Sequence, residues 1–156
     1  MAKDDLTGGG GPRLRSRIEQ ACIDKGLKMT GQRRLIARVL SEADDHPDVE
    51  ELFRRAARID RRISLATVYR TVRLLEEVRI LERHDFRGGR ARYEKVPKEH
   101  HDHLVDVTTG EVVEFRNEAI EKQQRRIAAQ LGYRLVDHEL VLYGVRLKGA
   151  SKNGKT

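Results

Sequence analysis

The chain changes its hydrophobic period once, near residue 78, and that change limits the folds open to it. Before it, apolar residues recur at helical spacing. Leu14, Ile18 and Cys22 lie four apart in a stripe that ends at Gly26. Thr30 is placed to cap a second helix carrying Leu35, Ile36, Val39 and Leu40. Asp48, with Glu51 three positions on, has the form of a capping box for a third, which would bury Val49, Leu52, Phe53 and Ala56. Ser64 is placed to cap a fourth, with Val68, Val72 and Leu75 turned inward. After the change, residues 79–86 and 90–96 read as short strands around Gly88-Gly89, a dipeptide suited to a two-residue hairpin turn. Helices that run into a β-hairpin describe a winged helix-turn-helix.

Pro97 marks a boundary. Beyond it, strand-like segments at 103–107 and 112–115 flank a turn at Thr108-Thr109-Gly110. A helix follows from an Asn117 cap to Gly132, with Ile120, Gln124, Ile127 and Leu131 along one face, and a last strand is expected around 133–147. The expected class is therefore α+β: a winged helix domain over 14–97, then a small α/β dimerisation domain over 98–148. An arm over 1–13 and a basic tail over 149–156 flank them. A unit of about 50 residues rarely closes a secure core without a metal or a second chain. Dimerisation is the natural remedy.

Charge is unevenly spread. Residues 1–96 carry 22 basic and 16 acidic side chains, residues 97–156 only 10 and 9, within a net charge of +7. A basic first part points to a polyanion as partner. No apolar run is long enough to span a bilayer, and the first residues lack the apolar stretch of a secretory signal, so no membrane role and a cytoplasmic location are expected. Gly8 to Gly11 lead to Pro12 rather than to a phosphate-cradling motif, and the arm reads as solvated chain. Cys22 is the single cysteine, which excludes a disulfide or a thiolate zinc site within one chain.

Two sets of residues carry chemistry. On the fourth helix, the inward face leaves Thr67, Tyr69, Arg70 and Arg73 pointing out. Arginine can fork two hydrogen bonds onto a guanine edge or hold a phosphate, and a tyrosine ring can pack on a thymine methyl. Such a face is often merely solvated; its place before a hairpin, in the basic part, favours DNA. The second set is His100-His101-Asp102-His103. In extended chain, His100 and Asp102 share one face and His101 and His103 the other, so one tetrapeptide can serve two metal sites. Histidine and carboxylate donors without thiolate suit Fe(II), Mn(II) or Zn(II). His46, His138, Glu94, Glu114 and Glu121 are available as further ligands, and periodicity does not choose among them. His84 has no evident partners and reads as surface or structural.

Several stretches resemble the ferric uptake regulator family of bacterial metal-dependent repressors. They are Gly26-Leu27-Lys28-Met29-Thr30 with Arg33, the run from Ile63 through Ala66-Thr67-Val68-Tyr69-Arg70 to Thr71, His84 to Gly89, and His100 to Leu104. Val113-Glu114-Phe115 and Leu142-Tyr143-Gly144 also match, so the likeness spans about residues 14 to 147. The resemblance implies an interdomain regulatory site on His46, Glu94, His103 and Glu114, with His101 close enough to join or substitute. It implies a second site, in the dimerisation domain, on His100, Asp102, Glu121 and His138. It also implies base and backbone contacts from Tyr69 and Arg70, with Lys28 reaching a groove.

Many members of the family hold a structural zinc on two Cys-x-x-Cys pairs. Here Asp106 and Thr109 stand at the first pair and no cysteine lies beyond Cys22, so no cysteine-ligated zinc is expected and the second site would carry the structural burden. Glutamates at 94 and 114, where peroxide sensors of the family use aspartates, favour an iron or manganese regulator. Fe(II) or Mn(II) is the expected corepressor, with Zn(II) able to enter either site and haem-responsive members known. The expected partners are a second copy of the chain and a palindromic AT-rich operator in double-stranded DNA. The rival from another class is a His/carboxylate metallohydrolase with Glu99 or Glu111 as acid or base; the chain has no HExxH helix and no nucleophile motif.

Overall fold

A computed structural model describes residues 15–150. The arm over 1–13, Leu14 of the first apolar stripe and residues 151–156 of the tail lie outside them. Four helices come first: α1 (Arg17–Asp24), α2 (Gly31–Glu42), α3 (Val49–Ile59) and α4 (Leu65–Glu77). Each begins where a short polar side chain can replace a missing intrahelical acceptor. Ser16, Thr30, Asp48 and Ser64 accept from the amides of Glu19, Arg33, Glu51 and Thr67. Their inward stripes merge into one apolar core. Ile18, Cys22, Ile36, Leu40, Leu52, Val68, Val72 and Leu75 are all buried in it.

The wing is an antiparallel pair, β1 (Leu81–His84) and β2 (Arg92–Lys95), shorter than the strands expected at 79–86 and 90–96. Leu81 and Tyr93 tuck into the helical core. Pairing starts at His84 with Arg92, so the connection is a loop over residues 85–91 and not a two-residue turn on Gly88-Gly89. Both glycines sit in that loop with positive φ, 109° and 110°.

The second unit is a three-stranded sheet in the order β4-β3-β5, built from β3 (Asp102–Asp106), β4 (Val112–Phe115) and β5 (Val141–Gly144). β3 pairs antiparallel with β4 and parallel with β5. The chain passes from β4 to β5 through α5 (Glu118–Gln130), which Asn117 caps through the amides of Ala119 and Ile120. The strand expected around 133–147 is confined to Val141–Gly144, because β5 can pair only along the short β3. The apolar line on α5 is not a core line either: Ile127 and Leu131 are exposed. In this unit Val105 is buried, but so are Asp102, His103, Asp106 and Glu121.

Leu52, 1% exposed on the core face of α3, gives a direct test of where the helical core sits. Leu52→Ala should lower unfolding stability by about 2–5 kcal/mol in denaturant titration, through lost burial and a residual cavity. A loss below about 0.5 kcal/mol would mean that α3 does not pack as described.

Candidate metal centre

Two groups of donors form on either side of β3. For the first, His46 enters from the loop between α2 and α3. That loop is fastened to the wing: the Tyr93 amide donates to the Pro47 carbonyl at 3.1 Å, and the Arg92 guanidinium donates to the His46 carbonyl. Arg92 also reaches the Gly110 carbonyl at 3.2 Å, so one side chain ties the helical unit to the β3–β4 turn. Glu94 comes from β2, His101 and His103 from the start of β3, and Glu114 from β4, where it lies opposite His103 in register.

Glu94 is the centre of this group. Its Oε2 lies 2.9 Å from His46 Nε2 and 3.2 Å from His101 Nε2. Its Oε1 lies 3.3 Å from His103 Nε2, and the Nε2 atoms of His101 and His103 face each other at 3.2 Å. Glu114 stands at the rim, half exposed, with Oε1 3.3 Å from His46 and 3.8 Å from His101. Of the expected ligands, His46, Glu94, His101 and His103 thus draw together most closely.

The second group is His100, Asp102, Glu121 and His138. The Nε2 atoms of His100 and His138 are 2.9 Å apart, and Asp102 Oδ1 lies 3.2 and 3.3 Å from them. Glu121 Oε1, from α5, lies 3.8 and 3.6 Å from the same two nitrogens. Asp102 is 1% exposed. The tetrapeptide splits as strand alternation requires, 100 and 102 to one group, 101 and 103 to the other.

Both groups fit a divalent cation. Two imidazole nitrogens at hydrogen-bond distance can share at most one proton, so these donors converge with more lone pairs than protons to link them. Four donors ~2.1 Å from a tetrahedral centre lie about 3.4 Å apart, which matches the observed spacings. Glu121 Oε1, which faces both imidazoles of the second group, is buried without a hydrogen-bond partner, a costly state that a cation there would relieve. With nitrogen and oxygen donors only, the residues suit Fe(II), Mn(II) or Zn(II).

Electrostatics favour an ionised Glu94. Burial works to raise its carboxyl, but hydrogen bonds from His103, His46 and His84 outweigh that and hold it well below the ordinary carboxylate range. His84 is the residue that reading the sequence missed. It is not a surface histidine: its Nε2 donates to Glu94 Oε1 at 2.6 Å, and its ring stacks on Phe86. Burial opposes its charge, yet the hydrogen bond to Glu94 and the charges of Glu94, Glu82 and Glu139 raise its pKa above the usual histidine value.

The expected DNA-facing residues lie on another surface. Tyr69, Arg70 and Arg73 are exposed on α4, Lys28 is exposed before α2, and Thr67 is half-buried with its hydroxyl bonded to Ser64. Tyr69, Arg70 and Arg73 line an open groove between α4 and the wing, together with Arg83 and Arg90, two cations that helical periodicity could not bring in.

The ferric uptake regulator family matches residues 24–143. The ferric uptake regulation protein of Rhizobium leguminosarum bv. viciae is 60% identical over 131 residues, 84% of this chain and 92% of its own length. A solved zinc-bound manganese uptake regulator superposes with a TM-score of 0.76 at 58% identity, covering 83% of this chain and 98% of that one. The Pseudomonas aeruginosa ferric uptake regulator with manganese gives 0.70 at 37% identity, over 85% and 99%.

Calorimetric titration of chelator-stripped protein with Mn(II) at neutral pH should count two cations per chain, one for each histidine-rich group. His46→Ala should remove one and His100→Ala the other; a His46→Ala protein that still binds both would detach that residue from the site. Imidazole coordinates only when neutral, so both affinities should fall on acidification.

Proposed function

The chain belongs to the ferric uptake regulator family, and on that premise we propose that it is a cytoplasmic, metal-responsive transcriptional repressor with Fe(II) or Mn(II) as corepressor. Relatives of near-equal identity are named for iron and for manganese, which supports keeping both effectors. The reading takes 14–97 as the DNA-binding unit and 98–148 as the dimerisation unit.

The observation that carries it is the origin of the first donor group. His46 and Glu94 belong to the helical unit and its wing, whereas His101, His103 and Glu114 belong to the sheet unit. A divalent cation held there supplies coordination bonds that span the two units. His46 and Glu94, drawn to the same point as His101 and His103, fix the wing on the sheet. In a symmetric dimer that sets the relative position of two copies of α4. Tyr69, Arg70 and Arg73 then meet half-sites about one helical turn, ~34 Å, apart or a multiple of it. Swinging the population from 1:99 to 99:1 takes ~10⁴-fold preferential binding, about 5.5 kcal/mol, within reach of several coordination bonds.

The second group supports a structural role. Asp102 and His100 lie at β3, Glu121 on α5 and His138 ahead of β5, so a shared ligand would clamp helix to sheet. The dimer is supported by the exposed apolar side chains of this unit: Leu131 is 70% exposed, Tyr133 73% and Val136 83%. The hydrolase reading gains nothing from the geometry. Glu99 and Glu111, its candidate acid and base, pair with Arg116 and Arg146, and neither belongs to a donor group.

Fluorescence anisotropy of chelator-stripped protein on an AT-rich palindromic duplex should show tight binding only after Fe(II) (under anaerobic conditions) or Mn(II) is added. His103→Ala should lose at least about 100-fold of that gain. Tight binding without metal would remove the switch and leave a constitutive DNA-binding protein. Leu131→Asp should shift the protein from dimer to monomer in sedimentation; an unaltered dimer would place the interface elsewhere.

A further inference from the structure

His84 is held more tightly than any surface role requires. It sits on β1 with its side chain 12% exposed. Its ring lies parallel to Phe86 at 5.4 Å and tilted against His103 at 4.5 Å, so its orientation is fixed on two sides. Cross-strand register places it on the same face of the wing as Glu94, since Glu82 pairs with Glu94 and His84 with Arg92. Its Nε2 lies 2.6 Å from Glu94 Oε1, shorter than the 3.2 and 3.3 Å at which His101 and His103 approach that oxygen.

We propose that His84 is a positioning residue of the interdomain centre: its Nε2–H anchors Oε1 of Glu94, so that the carboxylate presents Oε2 toward His46 and His101. His46, His101 and His103 converge with Glu94 on one point, whereas His84 converges only with Glu94 and with the half-exposed Glu82, 3.8 Å from its Nε2, on the wing side of the carboxylate. His84 instead spends its inward nitrogen on the carboxylate itself, as an outer hydrogen-bond partner does when it fixes a ligand's rotation. It also belongs to the wing, so the orientation of Glu94 is set by the same hairpin that lines the α4 groove. This inference rests on the proposed interdomain site.

The test uses Co(II) as a coloured probe, with the interdomain bands taken as those that His46→Ala abolishes. His84→Ala should weaken Co(II) binding at that site by about 10–100-fold, leave the band positions unmoved and leave affinity at the His100 site intact. His84→Gln keeps an N–H donor at similar reach and should recover most of the loss. Unchanged affinity in His84→Ala would overturn the proposal. So would shifted bands that glutamine fails to restore, which would make His84 a donor to the metal. If His46→Ala abolishes no bands, the interdomain site itself fails and the role of His84 goes with it.

Discussion

The arrangement of this molecule depends on one buried carboxylate. Glu94 is nearly enclosed, and a lone ionised carboxylate in such a place would be strongly unfavourable. It persists because histidines reach it from three directions: His46 from the α2–α3 loop, His84 from β1, and His101 and His103 from the sheet unit. Each contact fastens a different piece of chain to β2. The placement of the sheet unit against the helical unit and its wing is therefore an electrostatic matter more than an apolar one, whereas the wing itself is held on the helices by Leu81 and Tyr93.

That shifts the burden of stability between the two units. The helical unit has an apolar core drawn from four helices and both wing strands. The sheet unit buries Asp102, His103, Asp106 and Glu121 around little more than Val105, and leaves Leu131, Tyr133 and Val136 in solvent. A unit this small gains too little from apolar burial to hold polar groups inside unaided. On the proposed reading its order would come from what its donors bind and from what covers its apolar side, so ligand binding and dimerisation would also be its conditions for being folded.

How far the sequence could be read follows the range of the interactions involved. Helix starts at Thr30, Asp48, Ser64 and Asn117 were legible because a cap is decided within three residues. The split of His100 and Asp102 from His101 and His103 was legible because extended chain alternates. His84 was not, for a specific reason. A two-residue turn on Gly88-Gly89 would pair Arg83 with Glu94 and send His84 to the opposite face. The actual pairing, Arg83 with Tyr93, is displaced by one residue, and such a slip inverts every side chain on the strand. The fate of Ile127 and Leu131 was hidden differently: periodicity finds an apolar stripe but not whether the same chain covers it.

The double use of the 100–103 tetrapeptide has a consequence for how such a chain can vary. Substitution at one of its positions disturbs one donor group, since neighbours face opposite ways. Insertion or deletion of a single residue there would exchange the faces of everything on one side of the change, and both donor groups would be dismantled together. The wing loop over 85–91 is tied down at its ends, by Phe86 buried and stacked on His84 and by Arg90 in the α4 groove, and is open only at its Gly88-Gly89 tip. Length is thus frozen at β3 and free only at the glycine tip of the wing, where a change leaves untouched both Phe86 and the strand on which the two donor groups are threaded.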